Sequence, residues 1–183
     1  MATADKLMTA DELLRLPDDG QRHELIAGEL RTMALNGAEH GRVTVNLAVP
    51  LGHYIDTHHL GEVYAAGTGF QLTTSPDTVR APDVAFMRQE RVLAVGRVMG
   101  YLPGPPDLAA EVVSPNDRPA EVEEKVASWL AHGTRLVLVV DPRRRTVRVY
   151  RPGTPPRTLA EQDVLSGEDV VPGWTLPVRA LFE

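Results

Sequence analysis

The chain contains no cysteine. Disulfides and thiolate metal sites are thereby excluded, which fits a reducing, cytoplasmic setting. Lysine is almost missing as well: of 19 basic side chains only Lys6 and Lys125 are lysines, and the other 17 are arginines. There is no excess of positive charge, the formal net charge being −6. No overall basic footprint therefore points to nucleic acid, which leaves a local basic groove or a metal ion bridging to phosphate. Long apolar runs are absent too. The longest strongly apolar stretch, Leu136 to Val140, is far too short to cross a membrane. With Asp5, Asp11 and Glu12, the N-terminal stretch does not read as a signal peptide. No glycine pattern matches a phosphate-binding loop or a dinucleotide fingerprint, so no small-molecule cofactor is implied. Without a repeat or linker, 183 residues of 20.0 kDa are read as one domain over residues 1–183, with a real core.

What is present has a clear order. Residues 1–8 carry no pattern and are expected to be mobile. Thr9 to Glu12 form a capping-box pattern, which predicts a short helix ending near Pro17. His23–Ile26 and Glu29–Met33 flank Ala27-Gly28 and read as a β-hairpin. From Glu39 to His58, Val43, Leu47, Leu51, Tyr54 and Ile55 recur at helical spacing, with Pro50 expected to kink or split the helix. Strands are predicted at 61–64, 70–72, 81–86, 108–113, 135–140 and 146–150. A helix is predicted from Ala120 to His132, closed by Gly133, and Trp129 and Trp174 read as core residues. Residues 87–106 give no clear signal. This order predicts an α/β (α+β) fold, a mixed sheet with helices on its faces.

Within this frame one residue is out of place. Leu108 to Val113 reads as a strand buried on both faces, apolar apart from Glu111. A buried carboxylate is costly unless it is paired, neutralised or bound to metal. Alternation along the strand puts Glu111 on one face with Ala109 and Val113, and Asp83 on one face with Ala85. If the two strands are neighbours, the carboxylates converge among small side chains and repel, which calls for a cation. A hard oxygen donor set favours Mg²⁺, with Mn²⁺ able to substitute, over zinc. Lys125 borders the apolar face formed by Val122, Val126, Trp129 and Leu130, where it can lean toward Glu111.

The blocks HELIAGEL, APDVAF, DLAAEVVSPNDR and K-x-x-x-W-x-x-x-G, in this order and spacing, resemble the Uma-two family of putative restriction endonucleases, assigned to the PD-(D/E)XK nuclease superfamily. The likeness covers roughly residues 20–180. It implies a restriction-endonuclease-like fold and a Mg²⁺-dependent endonuclease acting on DNA. Asp83 and Glu111 would bind the metal, with the Val112 backbone carbonyl as third ligand. The superfamily lysine would stand at Val113, so its role passes to Lys125 in the next helix. Glu29 and His40 match positions that the family places near the site. Cutting both strands of a duplex with one site per chain favours a homodimer.

Plainer readings compete. Asp83 can be a strand-start carboxylate satisfied by local N–H groups, Glu111 can pair with an arginine, and Lys125 can pair on the helix surface with Glu121, four residues before it. His53, Asp56, His58 and His59 lack zinc-helix spacing and read as a solvated helix end, and Arg143–Arg145 as a solvated hairpin tip. The functional alternative to an enzyme is a catalytically silent nuclease-fold module that binds nucleic acid or a protein partner.

Overall fold

The first helix, α1 (Ala10–Leu14), starts where Thr9 caps it: its side chain accepts from the Glu12 N–H while Glu12 reaches back to the Thr9 N–H. In this computed structural model residues 7–183 are described. The expected mobility of the leading residues lies, for 1–6, outside the described residues. Met8 is tied down, its N–H donating to the Gly28 carbonyl at 2.9 Å.

The expected hairpin is β1 (Arg22–Ile26) and β2 (Glu29–Met33), turning on Ala27 and Gly28 at φ 49° and 82°. Next comes α2 (Ala38–Thr57), then β3 (Gly61–Ala65), β4 (Phe70–Thr73), β5 (Thr78–Arg80) and β6 (Val84–Arg88). The unassigned stretch holds α3 (Gln89–Val95) and β7 (Leu102–Pro103). After it run β8 (Leu108–Val112), α4 (Pro119–Ala131), β9 (Leu136–Asp141) and β10 (Thr146–Arg151). The tail adds β11 (Thr154–Leu159), β12 (Val164–Ser166), β13 (Thr175–Pro177) and a 3₁₀ turn, Val178–Leu181.

These strands form the expected α+β fold, mixed sheets flanked by helices, with the strands divided among more than one sheet. A six-stranded sheet runs β11-β10-β9-β8-β6-β3, a five-stranded one β2-β1-β5-β4-β7, and β12 pairs with β13. The strand expected over 81–86 is the point of division. β5 ends at Arg80 in the smaller sheet and β6 starts at Val84 in the larger. Pro82, which has no N–H to give a ladder, falls between them. Asp83 therefore sits just before a strand, at the seam of two sheets.

Alternation along the larger sheet builds two cores. Val84, Phe86, Leu108, Ala110, Leu136, Leu138 and Val140 pack against Val43, Leu47, Leu51 and Ile55 of α2, and Trp174 of the tail closes this side. Ala85, Ala109, Val137 and Val139 face Val126 and Trp129 of α4. Each fully buried aliphatic side chain contributes roughly 1.5–3 kcal/mol. This explains why α2 is not split at Pro50, one of the two outcomes expected there: Leu47 and Leu51 anchor the turns on either side. Asn46, which loses Pro50 as a backbone donor, gives its side-chain amide to the Leu181 carbonyl.

Pro50→Ala should therefore stabilise the protein. It restores a helix donor and removes a helix-interior penalty of about 3 kcal/mol, less about 1 kcal/mol of unfolded-state entropy. Urea unfolding should show a higher midpoint at unchanged slope. An unchanged or lower midpoint would mean that α2 is packed around the ring.

Candidate active site

Glu111 lies in the middle of an apolar strand and is 6% exposed, so each of its oxygens needs a partner. Both partners come from α4. The Lys125 ammonium donates to one oxygen at 3.2 Å, and the Trp129 indole N–H donates to the other at 2.8 Å. Four residues apart on a helix, the two side chains share a face. The surface pair with Glu121 does not form; Glu121 instead accepts from the Arg118 N–H at the start of α4.

Asp83, 5% exposed, stands opposite. β6 and β8 are antiparallel neighbours with Val84 facing Ala110, so one further step of the register sets Asp83 across from Glu111. The Asp83 N–H continues the ladder to the Ala110 carbonyl at 3.0 Å. One carboxylate oxygen, Oδ2, accepts from the Val112 N–H at 2.8 Å and lies 3.1 Å from His40 Nε2. His40 is the first residue of the α2 stripe that continues through Val43, Leu47 and Leu51, so core packing aims its ring at Asp83. The other oxygen, Oδ1, has Arg22 at 4.0 Å, beyond hydrogen-bond reach.

A third buried carboxylate belongs to the same cleft. Glu24 of β1 accepts from the Ala81 N–H at 3.1 Å, lies 3.5 Å from an Arg80 nitrogen, and is 4.0 Å from Lys125. Lys125 is thus held between Glu111 and Glu24 where the two sheets meet. Glu24 and Arg80 were not singled out by sequence reasoning, and Trp129 was read as a core residue. A carboxylate beside Leu25 and Ile26 in a strand, and the i, i+4 spacing of Lys125 and Trp129, were the signals available. Glu29, by contrast, is exposed on β2, pairs with Arg31 and does not line the cleft. His58 stacks on Tyr54 at the solvated end of α2, and Arg144 and Arg145 pair with Asp141 and Glu161 at their hairpin.

The cleft, about 440 Å³, is lined by Arg22, Glu24, Asp83, Glu111, Lys125 and the Val112 backbone among others. Its carboxylates are electrostatically divided. Burial alone would raise Asp83, but the His40 hydrogen bond and charge, the Val112 N–H and Lys125 hold it below its ordinary value. For Glu111 burial prevails: although Lys125 and Trp129 oppose it, desolvation with Asp83 and Glu24 nearby pushes the carboxyl up to about 7. Lys125 is raised despite desolvation, because three carboxylates surround it. A carboxyl that resists ionisation beside a second carboxylate is a place where an added cation lowers the energy. Among the described residues, no group of three or more His, Asp or Glu side chains is close enough to hold a metal. Two carboxylates suffice for Mg²⁺, which keeps several of its waters and takes substrate oxygens as further ligands. The donors present fit that ion.

The sequence from residue 10 to residue 179 matches the Uma2 family, described as "putative restriction endonuclease". The chain belongs to this family. No curated protein matches it. The fold is that of a solved structure, described as a putative nuclease belonging to DUF820 from Anabaena variabilis ATCC 29413. That structure is 20% identical, with a TM-score of 0.81 over 96% of this chain and 97% of that one. The Uma2 match spans both sheets, so the seam with Asp83, Glu111 and Lys125 lies inside it. No helix among the described residues is long and apolar enough to cross a membrane.

The raised Glu111 carboxyl has a measurable consequence in the metal-free protein. Its folded state keeps a proton that the unfolded chain releases near pH 4.5, so its contribution is most favourable below that pH and declines until about pH 7. The melting temperature of the wild type minus that of Glu111→Gln, measured in chelator, should fall between pH 4.5 and 7 and level off above. A flat difference would mean that Glu111 is not raised.

Proposed function

We propose that this protein is a divalent-metal-dependent endonuclease that hydrolyses DNA phosphodiester bonds, with Asp83, Glu111 and Lys125 as its catalytic residues. The observation that carries this reading is the approach of Asp83 and Glu111 across neighbouring strands, with the ammonium of Lys125 on Glu111. Asp83, Glu111 and the Val112 carbonyl would hold Mg²⁺, or Mn²⁺ in its place. The bound ion supplies a polarised phosphoryl oxygen and a water of lowered pKa.

The chain's own groups have distinct tasks. His40 and the Val112 N–H fix Asp83 Oδ2 and leave Oδ1 free. Trp129 orients Glu111 and excludes water from one side of it. Lys125 orients the attacking water and stabilises charge on the phosphate, as a compact ammonium can do and a guanidinium, fixed in its proton state, does less well. Water adds to phosphorus, the bond to the leaving oxygen breaks, and the water's proton ends on that oxygen. Cleavage of both duplex strands would call for two copies of the chain.

The competing reading is a silent nuclease-fold module that binds nucleic acid or a protein partner. It is favoured by Val113 standing at the superfamily's lysine position and by the occupation of both Glu111 oxygens. Cleavage of duplex DNA, single-stranded DNA and RNA with Mg²⁺ or Mn²⁺ separates the two. Asp83→Ala and Glu111→Ala should each lower the rate at least about 100-fold, and Lys125→Met by about 10²–10⁴-fold. Calorimetry should show Mn²⁺ binding to the wild type and none to Asp83→Ala. A wild type that binds no metal, with the same residual cleavage as Asp83→Ala, refutes the enzyme.

A further inference from the structure

Arg80 is 2% exposed and lines the cleft, yet its hydrogen bonding is incomplete. One terminal nitrogen, Nη1, faces Glu24 at 3.5 Å. The other, Nη2, donates to Glu124 at 2.8 Å. The remaining donor, Nε, is buried and has no partner. In a planar guanidinium, Nε–H and one Nη2–H point the same way and form a two-pronged edge that fits two oxygens of a carboxylate or phosphate. Here Nη2 has one oxygen of Glu124 and Nε has none.

The two carboxylates on Arg80 differ. Glu24 is buried and fixed by the Ala81 N–H. Glu124 lies on α4 at the cleft, is 63% exposed, and has Arg80 as its one ion-pair partner among the described residues. With most of its side chain in solvent, Glu124 can turn away from Arg80 and be hydrated, so it can be exchanged for a better-fitting anion.

We propose that Arg80 is a phosphate-binding residue of the cleft, masked in the free protein by Glu124. A backbone phosphate of a nucleic-acid strand takes the place of the Glu124 carboxylate and completes the Nε and Nη2 edge, while Glu24 keeps the guanidinium in position. This assigns a strand-binding subsite beside the proposed metal site. It rests on the nucleic-acid reading above but not on catalysis.

The test is binding of a short fluorescein-labelled single-stranded oligodeoxynucleotide, followed by anisotropy in Ca²⁺ and scored separately from cleavage. Glu124→Gln should tighten binding about 3- to 10-fold by removing the internal competitor. Glu121→Gln, the same charge change on the same helix and in the same cleft but at a residue that makes no pair with Arg80, should have a clearly smaller effect. Arg80→Lys, which keeps the charge but loses the edge, should weaken binding and abolish the gain from Glu124→Gln in the double variant. The proposal is overturned if Glu124→Gln does no more than Glu121→Gln, if its gain survives undiminished with Arg80→Lys, or if Glu124→Gln binds no oligonucleotide. Should Arg80→Lys fail to fold, the comparison of the exposed Glu124 and Glu121 variants decides alone. A wild type that cleaves nothing while Glu124→Gln binds more tightly would retain this subsite and refute only the nuclease.

Discussion

The placement of α4 depends on the need to satisfy one buried carboxylate. Glu111 lies in a strand with sheet neighbours on both sides and only 6% of it is exposed at the cleft, so protein donors serve both of its oxygens. Both of its partners, Lys125 and Trp129, come from the helix that returns the chain from β8 to the parallel strand β9. Trp129 is also fully buried in the core on that face. The same side chain that packs the crossover helix onto the sheet thus sets the direction of the carboxylate. Losing the indole N–H would cost packing and also leave a buried oxygen unpaired, a penalty of about 1–3 kcal/mol.

The second constraint is the seam. Carboxylates from β1, from the residue before β6 and from β8 meet where the two sheets part, and Lys125, His40 and Arg80 answer them, Lys125 shared between Glu111 and Glu24. Asp83 and Glu111 are thereby held at different readiness to ionise, Asp83 low and Glu111 near neutrality. Environments that push like groups apart in this way are characteristic of sites that do chemistry, though ion-pair networks also produce them. The distinction here is positional. Structural networks such as Asp107 with Arg88 and Arg91 bind a buried acid fully with arginines. At the seam, Asp83 Oδ1 and Arg80 Nε lack hydrogen-bond partners.

Much of this was legible in the sequence where local pattern and burial coincide. The α2 stripe, the hairpin turn, the capping box and the apolar strand broken by Glu111 are each set by residues within a few turns of one another. The division into two sheets was not, because it depends on β5 pairing with β1, more than fifty residues away, and no strand was read over Thr78–Arg80. α3 was invisible for the opposite reason: it buries no residue, so it leaves no periodicity to read. Glu24 was passed over and Glu29 preferred because the family likeness pointed to the turn. Burial separates them, since β2 is an edge strand with an exposed face whereas β1 is covered on both sides.

The position of the lysine follows from the same geometry. Two residues after Glu111 on the strand, Val113 shares its face and packs toward Phe70, Val126 and their neighbours. An ammonium at that position would have to share the face with this apolar cluster. Carried on α4 instead, Lys125 crosses the layer from the helix side with its stem along the apolar face, its head on Glu111 and its side chain still 21% exposed. The core beside the strand stays apolar and the charge still arrives at the carboxylates. What the strand position gives up in sequence the helix restores in space, provided that α4 is fixed to within a fraction of a turn. Trp129, four residues on and bonded to the other oxygen of the same carboxylate, supplies that fixing.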